Sequence, residues 1–277
     1  MSRGTTAGPA GFRDRYGPWA LVAGASEGLG AQFATQIAAR GVNLVLLARR
    51  ARELALLGDA VAAEHGVEVR ALALDLADPE AVGTAKRETD DIEIGLLVYN
   101  AALSCIGPFL DAPLEEHLQE LDVNCRGPLV FAHGFGRAMA GRGRGGILLM
   151  SSLAGAQGAP GISHYAATKA YNTVLAEGLW GELRGRGVDV LACCAGATLT
   201  PRYLANQKAQ GGGSLPAPEM DPSAVVAEAL AALGRKPSMI PGMANRAAAV
   251  FMQRLLPRRL AVSIMGRSTR GMSSDRT

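Results

Sequence analysis

Trp19-Ala20-Leu21-Val22-Ala23-Gly24-Ala25-Ser26-Glu27-Gly28-Leu29-Gly30 is the stretch on which the reading of this chain turns. Five apolar residues without alternation suit a strand covered on both faces. The glycines that follow, spaced G-x-x-x-G-x-G, suit a tight turn into a helix expected over 28–40. Gly24, Gly28 and Gly30 would let the backbone approach a pyrophosphate, whose charge would rest on free N–H groups at the helix N-terminus, beside Ser26 and Leu29.

The same alternation continues outward from this unit. Apolar runs at 19–23, 42–48, 67–74, 94–99, 147–150 and 188–194 read as strands. The stretches 28–40, 53–65, 115–139 and 163–184 read as helices. Repeated β-α units with both strand faces apolar imply an α/β fold built on a doubly wound parallel sheet. A loop-rich stretch at 198–222, with Gly211-Gly212-Gly213, reads as a mobile lid.

Composition narrows the class. The chain has 277 residues, 48% apolar and 19% charged, which excludes disorder for most of its length. No apolar run reaches 18 residues and the N-terminus lacks a signal-peptide core, so a cytoplasmic protein is expected. Cys105, Cys125, Cys193 and Cys194 lack C-x-x-C spacing, and the histidines lack ligand spacing, so neither a metal site nor a disulfide framework is expected. The net charge of +3 hides an asymmetry: residues 1–228 carry 19 basic and 24 acidic side chains, and residues 229–274 carry eight basic and no acidic ones.

Three further patterns carry chemistry. The second strand ends in Ala48-Arg49-Arg50, where an acidic residue would hold the ribose hydroxyls of NAD; Arg49 or Arg50 suits a 2′-phosphate instead, which favours NADP(H). Tyr165 and Lys169 stand four residues apart on one helical face, so the ammonium can favour the phenolate of a tyrosine whose ordinary pKa is about 10. Ser152 lies 13 residues before Tyr165, directly after a strand. His164 adjoins Tyr165 but points elsewhere on the helix and reads as a structural or pocket-lining residue.

Together these residues resemble the short-chain dehydrogenase/reductase family over about residues 18–240, in order and in spacing. The resemblance implies a single Rossmann-type domain and a catalytic tetrad at Asn124, Ser152, Tyr165 and Lys169. It implies cofactor contacts at Asp75-Leu76, at Asn100-Ala101-Ala102, and at Gly196, Thr198 and Thr200 in the loop that holds the carboxamide. Lys169 would hold the nicotinamide ribose, Ser152 would orient the substrate oxygen, and Asn124 would support a water relay. Three positions depart from the family pattern: Ala23 for threonine, Ala102 for glycine and Ala195 for proline, all in the scaffold of the turns.

The domain reading is an N-terminal extension at 1–17, the NADP-binding domain at 18–240 and a basic helical extension at 241–277. Pro257 should break the extension's helix. It could lie on anionic lipid as a peripheral contact, or pack over the cleft or a partner subunit. Nucleic-acid binding is not expected, because the extension has no interleaved aromatics. The expected activity is hydride transfer between NADP(H) and a small-molecule carbonyl or secondary alcohol, by a homo-oligomer. An apolar lid of Leu199, Tyr203, Leu204, Leu215 and Met220 suggests a lipophilic substrate. A cofactor-binding scaffold without turnover, or a reductase of a non-carbonyl group, stays open as an alternative.

Overall fold

Each apolar run becomes a strand whose successive side chains enter opposite layers of the molecule. The computed structural model describes residues 9–209 and 218–269. Its strands are β1 Trp19–Ala23, β2 Asn43–Ala48, β3 Val69–Ala73, β4 Ile94–Tyr99, β5 Gly145–Ser152, β6 Val188–Ala195 and β7 Ser238–Met239. They form one parallel sheet in the order β3-β2-β1-β4-β5-β6-β7. Ala20, Val22, Leu44 and Leu46 pack on helices α2 Gly28–Ala38, α3 Ala51–His65 and α9 Pro222–Ala232. Leu21, Ala23, Val45 and Leu47 pack on α4 Ala81–Arg87, α6 Gly127–Arg142 and α7 Ser163–Leu183. The strand order reverses between β1 and β4, which opens a crevice at their C-terminal ends.

The structure differs from the sequence reading in three places. The edge strand β3 is shorter than 67–74 and half exposed, because helices cover the sheet interior and not its rim. There Arg70 pairs with Asp91 at 2.6 and 2.7 Å and lies over the Trp19 ring, so charge guards the open edge. The helix expected over 115–139 is interrupted: α5 Leu114–Leu121 passes through a π-helical turn, Asp122–Arg126, into α6. The stretch 198–222 is not all loop, since it contains α8 Pro201–Ala209; Gly211-Gly212-Gly213 and Leu215 lie outside the described residues.

The π turn has a visible partner in the sheet. The Gly127 N–H bonds the Asp122 carbonyl, one residue further back than in an α-helix, which frees the Val123 carbonyl. The buried Tyr99 hydroxyl at the end of β4 donates to that carbonyl at 2.9 Å. A buried carbonyl without a donor would cost about 1–3 kcal/mol, so Tyr99 stabilises the interruption.

Both termini of the described chain pack on the body. Helix α1, Pro9–Tyr16, is tied to β6 through Asp189, which accepts from Arg15 Nη2 and from the Tyr16 hydroxyl, each at 2.7 Å. At the other end α10 Met243–Val250 and α11 Arg258–Thr269 are separated at Pro257, as its missing N–H requires. Arg258 bonds the Ala156 carbonyl at 3.3 Å, and Ala261 is buried, so α11 lies over the segment between Ser152 and Tyr165. Arg270 and the residues after it lie outside the described residues. Among the described residues no helix is long and apolar enough to cross a membrane.

Asp189→Ala strands the buried Tyr16 hydroxyl and should lower stability by about 1–3 kcal/mol. Tyr16→Phe leaves Arg15 in place and should cost about 1 kcal/mol. Urea unfolding measures both, and a wild-type midpoint for Asp189→Ala would show that α1 is not anchored there.

Candidate active site

The crevice at the β1/β4 reversal is a cleft of about 690 Å³. One wall is the glycine turn. Gly24 has φ +81°, and a Cβ there would lie 2.6 Å from the Ala101 backbone, so the turn after β1 and the loop after β4 touch without side chains between them. Gly30 sits behind the cleft rather than in it: a Cβ would collide with the Gly24 carbonyl oxygen, which fixes how closely α2 approaches the strand. Asn100 Nδ2 donates to the same carbonyl at 2.8 Å and locks the two loops together. Ser26, Gly28 and Leu29 line the cleft at the N-terminus of α2, where unpaired N–H groups and the helix dipole favour an anion.

The opposite end of the cleft is closed by Asp75 and Leu76 after β3 and by Arg49 and Arg50 after β2. Asp75 Oδ1 accepts from the Ala77 N–H at 3.0 Å, which fixes the turn. Arg50 donates to Ser26 Oγ at 2.9 Å and meets Glu27 Oε2 at 3.0 Å. Glu27 thus partly neutralises one of the two arginines that would face a 2′-phosphate.

On the third wall, β5 and α7 bring together Ser152, Tyr165 and Lys169, all lining the cleft. Ser152 Oγ accepts from the Ala154 N–H at 3.1 Å, which holds its rotamer beside the Tyr165 phenol. Lys169 Nζ is buried, donates to the Met150 carbonyl at 3.0 Å and lies 5.6 Å from the Tyr165 ring centre. Burial drives its pKa down from 10.5 to about 8, against the opposing pull of Cys125, Glu120 and Cys194. The sequence reading has Lys169 favouring the Tyr165 phenolate. In the structure the phenol lies above its ordinary value, because burial outweighs the Ser152 hydrogen bond and the Glu120 carboxylate adds to it.

Asn124 stands apart from the other three. It is fully buried in the π turn and does not line the cleft. Its side chain accepts from the Leu103 N–H and donates to the Leu103 carbonyl, each at 2.8 Å, and donates to Thr168 Oγ1 at 3.0 Å. Its visible task is to hold the loop after β4 against α7.

Ala101, Ala102, Gly196, Thr198 and Thr200 also line the cleft. Thr198 forms a bridge to Met220 and donates from Oγ1 to the Gly196 carbonyl at 3.0 Å. A Cβ on Gly196 would lie 2.7 Å from Asn245 of α10, so α10 buttresses this loop. Among the described residues of the expected apolar lid only Tyr203 lines the cleft, while Met220 packs against the core. Sequence reading missed Leu103, Ser104 and Arg202 as lining residues, and Asn245 as a support. Arg202 had a signal in its position just after Thr200-Pro201; Asn245 had none, since only folding brings it to Gly196. The thiols of Cys125, Cys193 and Cys194 are pushed up by burial, Cys125 to about 11, so none is activated as a nucleophile.

Comparison with known proteins agrees with this geometry. Residues 18–210 match the family model described as short chain dehydrogenase. A 7β-hydroxysteroid dehydrogenase of Collinsella aerofaciens is 34% identical over 236 residues, covering 85% of this chain and 90% of that protein. A solved structure from a study of 7β-hydroxysteroid dehydrogenase stereoselectivity superposes with a TM-score of 0.85 at 31% identity, covering 92% of this chain and 98% of that one. A short-chain dehydrogenase from Sphingobium yanoikuyae, solved in complex with NADPH, gives a TM-score of 0.72 at 29% identity, covering 94% and 100%. The chain therefore belongs to the short-chain dehydrogenase/reductase family, nicotinamide-dependent oxidoreductases that interconvert an alcohol and a carbonyl group.

Proposed function

We propose that the chain reduces a bulky lipophilic ketone, or oxidises the matching secondary alcohol, with NADP(H) as its preferred cofactor. The observation that carries this reading is the placement of Ser152, Tyr165 and Lys169 on one wall of a cleft whose other walls are the glycine turn and the arginine pair. The residues fit the cofactor: the turn offers N–H groups and no side chain at Gly24, and β2 ends in Ala48 followed by two cations rather than in a carboxylate. NADP(H), when bound, supplies or accepts the hydride.

The chain's own residues supply position and the proton. Tyr165, whose phenol is pushed above its ordinary value by burial, donates its hydroxyl proton to the substrate oxygen in reduction and recovers it in oxidation. Ser152 donates a hydrogen bond to that same oxygen and stabilises its developing charge. Lys169 would offer its remaining N–H groups to the nicotinamide ribose, which would compensate for burying an ammonium. Asn124 acts through Leu103, by fixing the cleft-lining loop after β4. The bulky substrate class is inferred from the steroid-directed relatives, since the lid residues alone do not enclose the cleft.

Four outcomes are expected. Tyr165→Phe should bind NADPH normally yet lose about 10²- to 10⁴-fold in kcat on a panel of bulky alicyclic ketones, including a 7-oxosteroid. Retention of wild-type turnover would overturn the assignment.

Arg49→Ala with Arg50→Ala should weaken NADPH binding by about 10- to 100-fold and leave NADH nearly unchanged. Glu27→Gln, by freeing Arg50, should tighten NADPH severalfold. Equal losses for the two cofactors would refute the 2′-phosphate role.

Lys169 releases its proton in the native state near pH 8 but only near 10.5 when unfolded, so its burial is costly below pH 8 and stability rises between those values. Lys169→Met should abolish turnover, raise stability at pH 7 by about 1–3 kcal/mol and remove that alkaline rise. Urea midpoints across pH read all of this, and a less stable variant would contradict it.

Homo-oligomerisation is assigned to α5, where Leu114, Leu118 and Leu121 form one exposed stripe. Leu118→Asp should shift the mass measured by light scattering towards the monomer. A monomeric wild type would refute the assignment.

A further inference from the structure

Beside the cleft, and lining none of it, lies a group of three donors, two of them buried. His117 and Glu120 stand three residues apart on one face of α5, and Cys105 comes from the loop after β4. Each presents a donor atom, and the three lie within 4.8 Å of one another. We propose that Cys105, His117 and Glu120 form a zinc site that clamps the loop after β4 to α5.

The case rests on two polar atoms without a partner. His117 is 7% exposed; its Nε2 lies 3.1 Å from the Phe109 carbonyl, which requires the proton on Nε2 and leaves the Nδ1 lone pair buried and unpartnered. Its ring is clamped between Phe109, stacked at 4.6 Å, and His164, edge-on at 5.2 Å, so that lone pair keeps its direction. Glu120 is fully buried. Its Oε2 takes His164 Nδ1 at 3.0 Å and the Cys105 N–H at 3.4 Å, while Oε1 has no partner. A bare imidazole nitrogen, a bare carboxylate oxygen and a sulfur are all acceptors, and a buried carboxylate left half-satisfied is costly. A cation bound by all three side chains would relieve that deficit.

Sulfur, nitrogen and oxygen donors together select zinc over magnesium or calcium, which take oxygen alone. A divalent ion bound to one thiolate, one carboxylate and a neutral imidazole leaves the buried site without net charge. Zinc sits about 2.0–2.3 Å from such donors, so the three must close by about 1 Å, within the reach of side-chain rotation. The outer partners are in place: a backbone carbonyl on the far nitrogen of His117, and His164 with an amide on the far oxygen of Glu120. A fourth position stays open to water.

The test is calorimetric titration of the chelator-treated full chain with Zn²⁺, and with Co²⁺ as a spectroscopic stand-in. Wild type should bind one equivalent, with tetrahedral cobalt bands and a thiolate-to-metal absorption. His117→Ala and Cys105→Ser should weaken binding by about 10-fold or more while NADPH binding is kept. Should either fail to fold, Glu120→Gln, which preserves shape and removes the charge, should show the same loss. No stoichiometric binding by wild type, or equal binding by folded variants, overturns the site and leaves a proton as the cation between Glu120 and His117.

Discussion

The constraint on which the molecule depends is the contact of two backbones between β1 and β4. Gly24 and Ala101 approach so closely that no Cβ fits at Gly24, and this proximity sets the floor of the cleft at the reversal of strand order. The neighbouring bonds serve to hold that contact. Asn100 reaches back to the Gly24 carbonyl, Asn124 holds Leu103, and Tyr99 stabilises the π turn that presents Asn124. The interruption of the long helix is thus a joint built to carry one amide.

Charge is distributed with equal economy. Lys169 is buried with the Met150 carbonyl as its hydrogen-bond partner, so it costs stability in the free protein. Tyr165 is held protonated by the same burial, which suits proton delivery to a carbonyl. Glu27 tempers Arg50 at the far end, where an uncompensated arginine pair would hold any polyanion.

Much of this was legible in the sequence because it rests on local rules. The apolar runs, the G-x-x-x-G-x-G spacing and the four-residue step from Tyr165 to Lys169 are short-range patterns; the fold turns the runs into strands, shortening the one at the β3 edge, and sets Gly24, Gly28, Tyr165 and Lys169 along the cleft. What was not legible depends on distant pairing. The π turn needs Tyr99, some two dozen residues earlier; the role of Asn124 needs Leu103; the support of Gly196 needs Asn245 from the basic extension. Cys105, His117 and Glu120 show no ligand spacing along the chain and meet only when α5 packs against the loop after β4. The two C-terminal helices also meet the active-site segment, α11 through Arg258 and α10 through Asn245.

The most direct measurement is the fate of deuterium carried at C4 of NADPH during reduction of a bulky ketone. The account predicts an alcohol bearing one deuterium at the former carbonyl carbon, formed in step with NADPH loss. NADPH loss without deuterium in the product, or tight binding with no alcohol formed from any ketone, would contradict it.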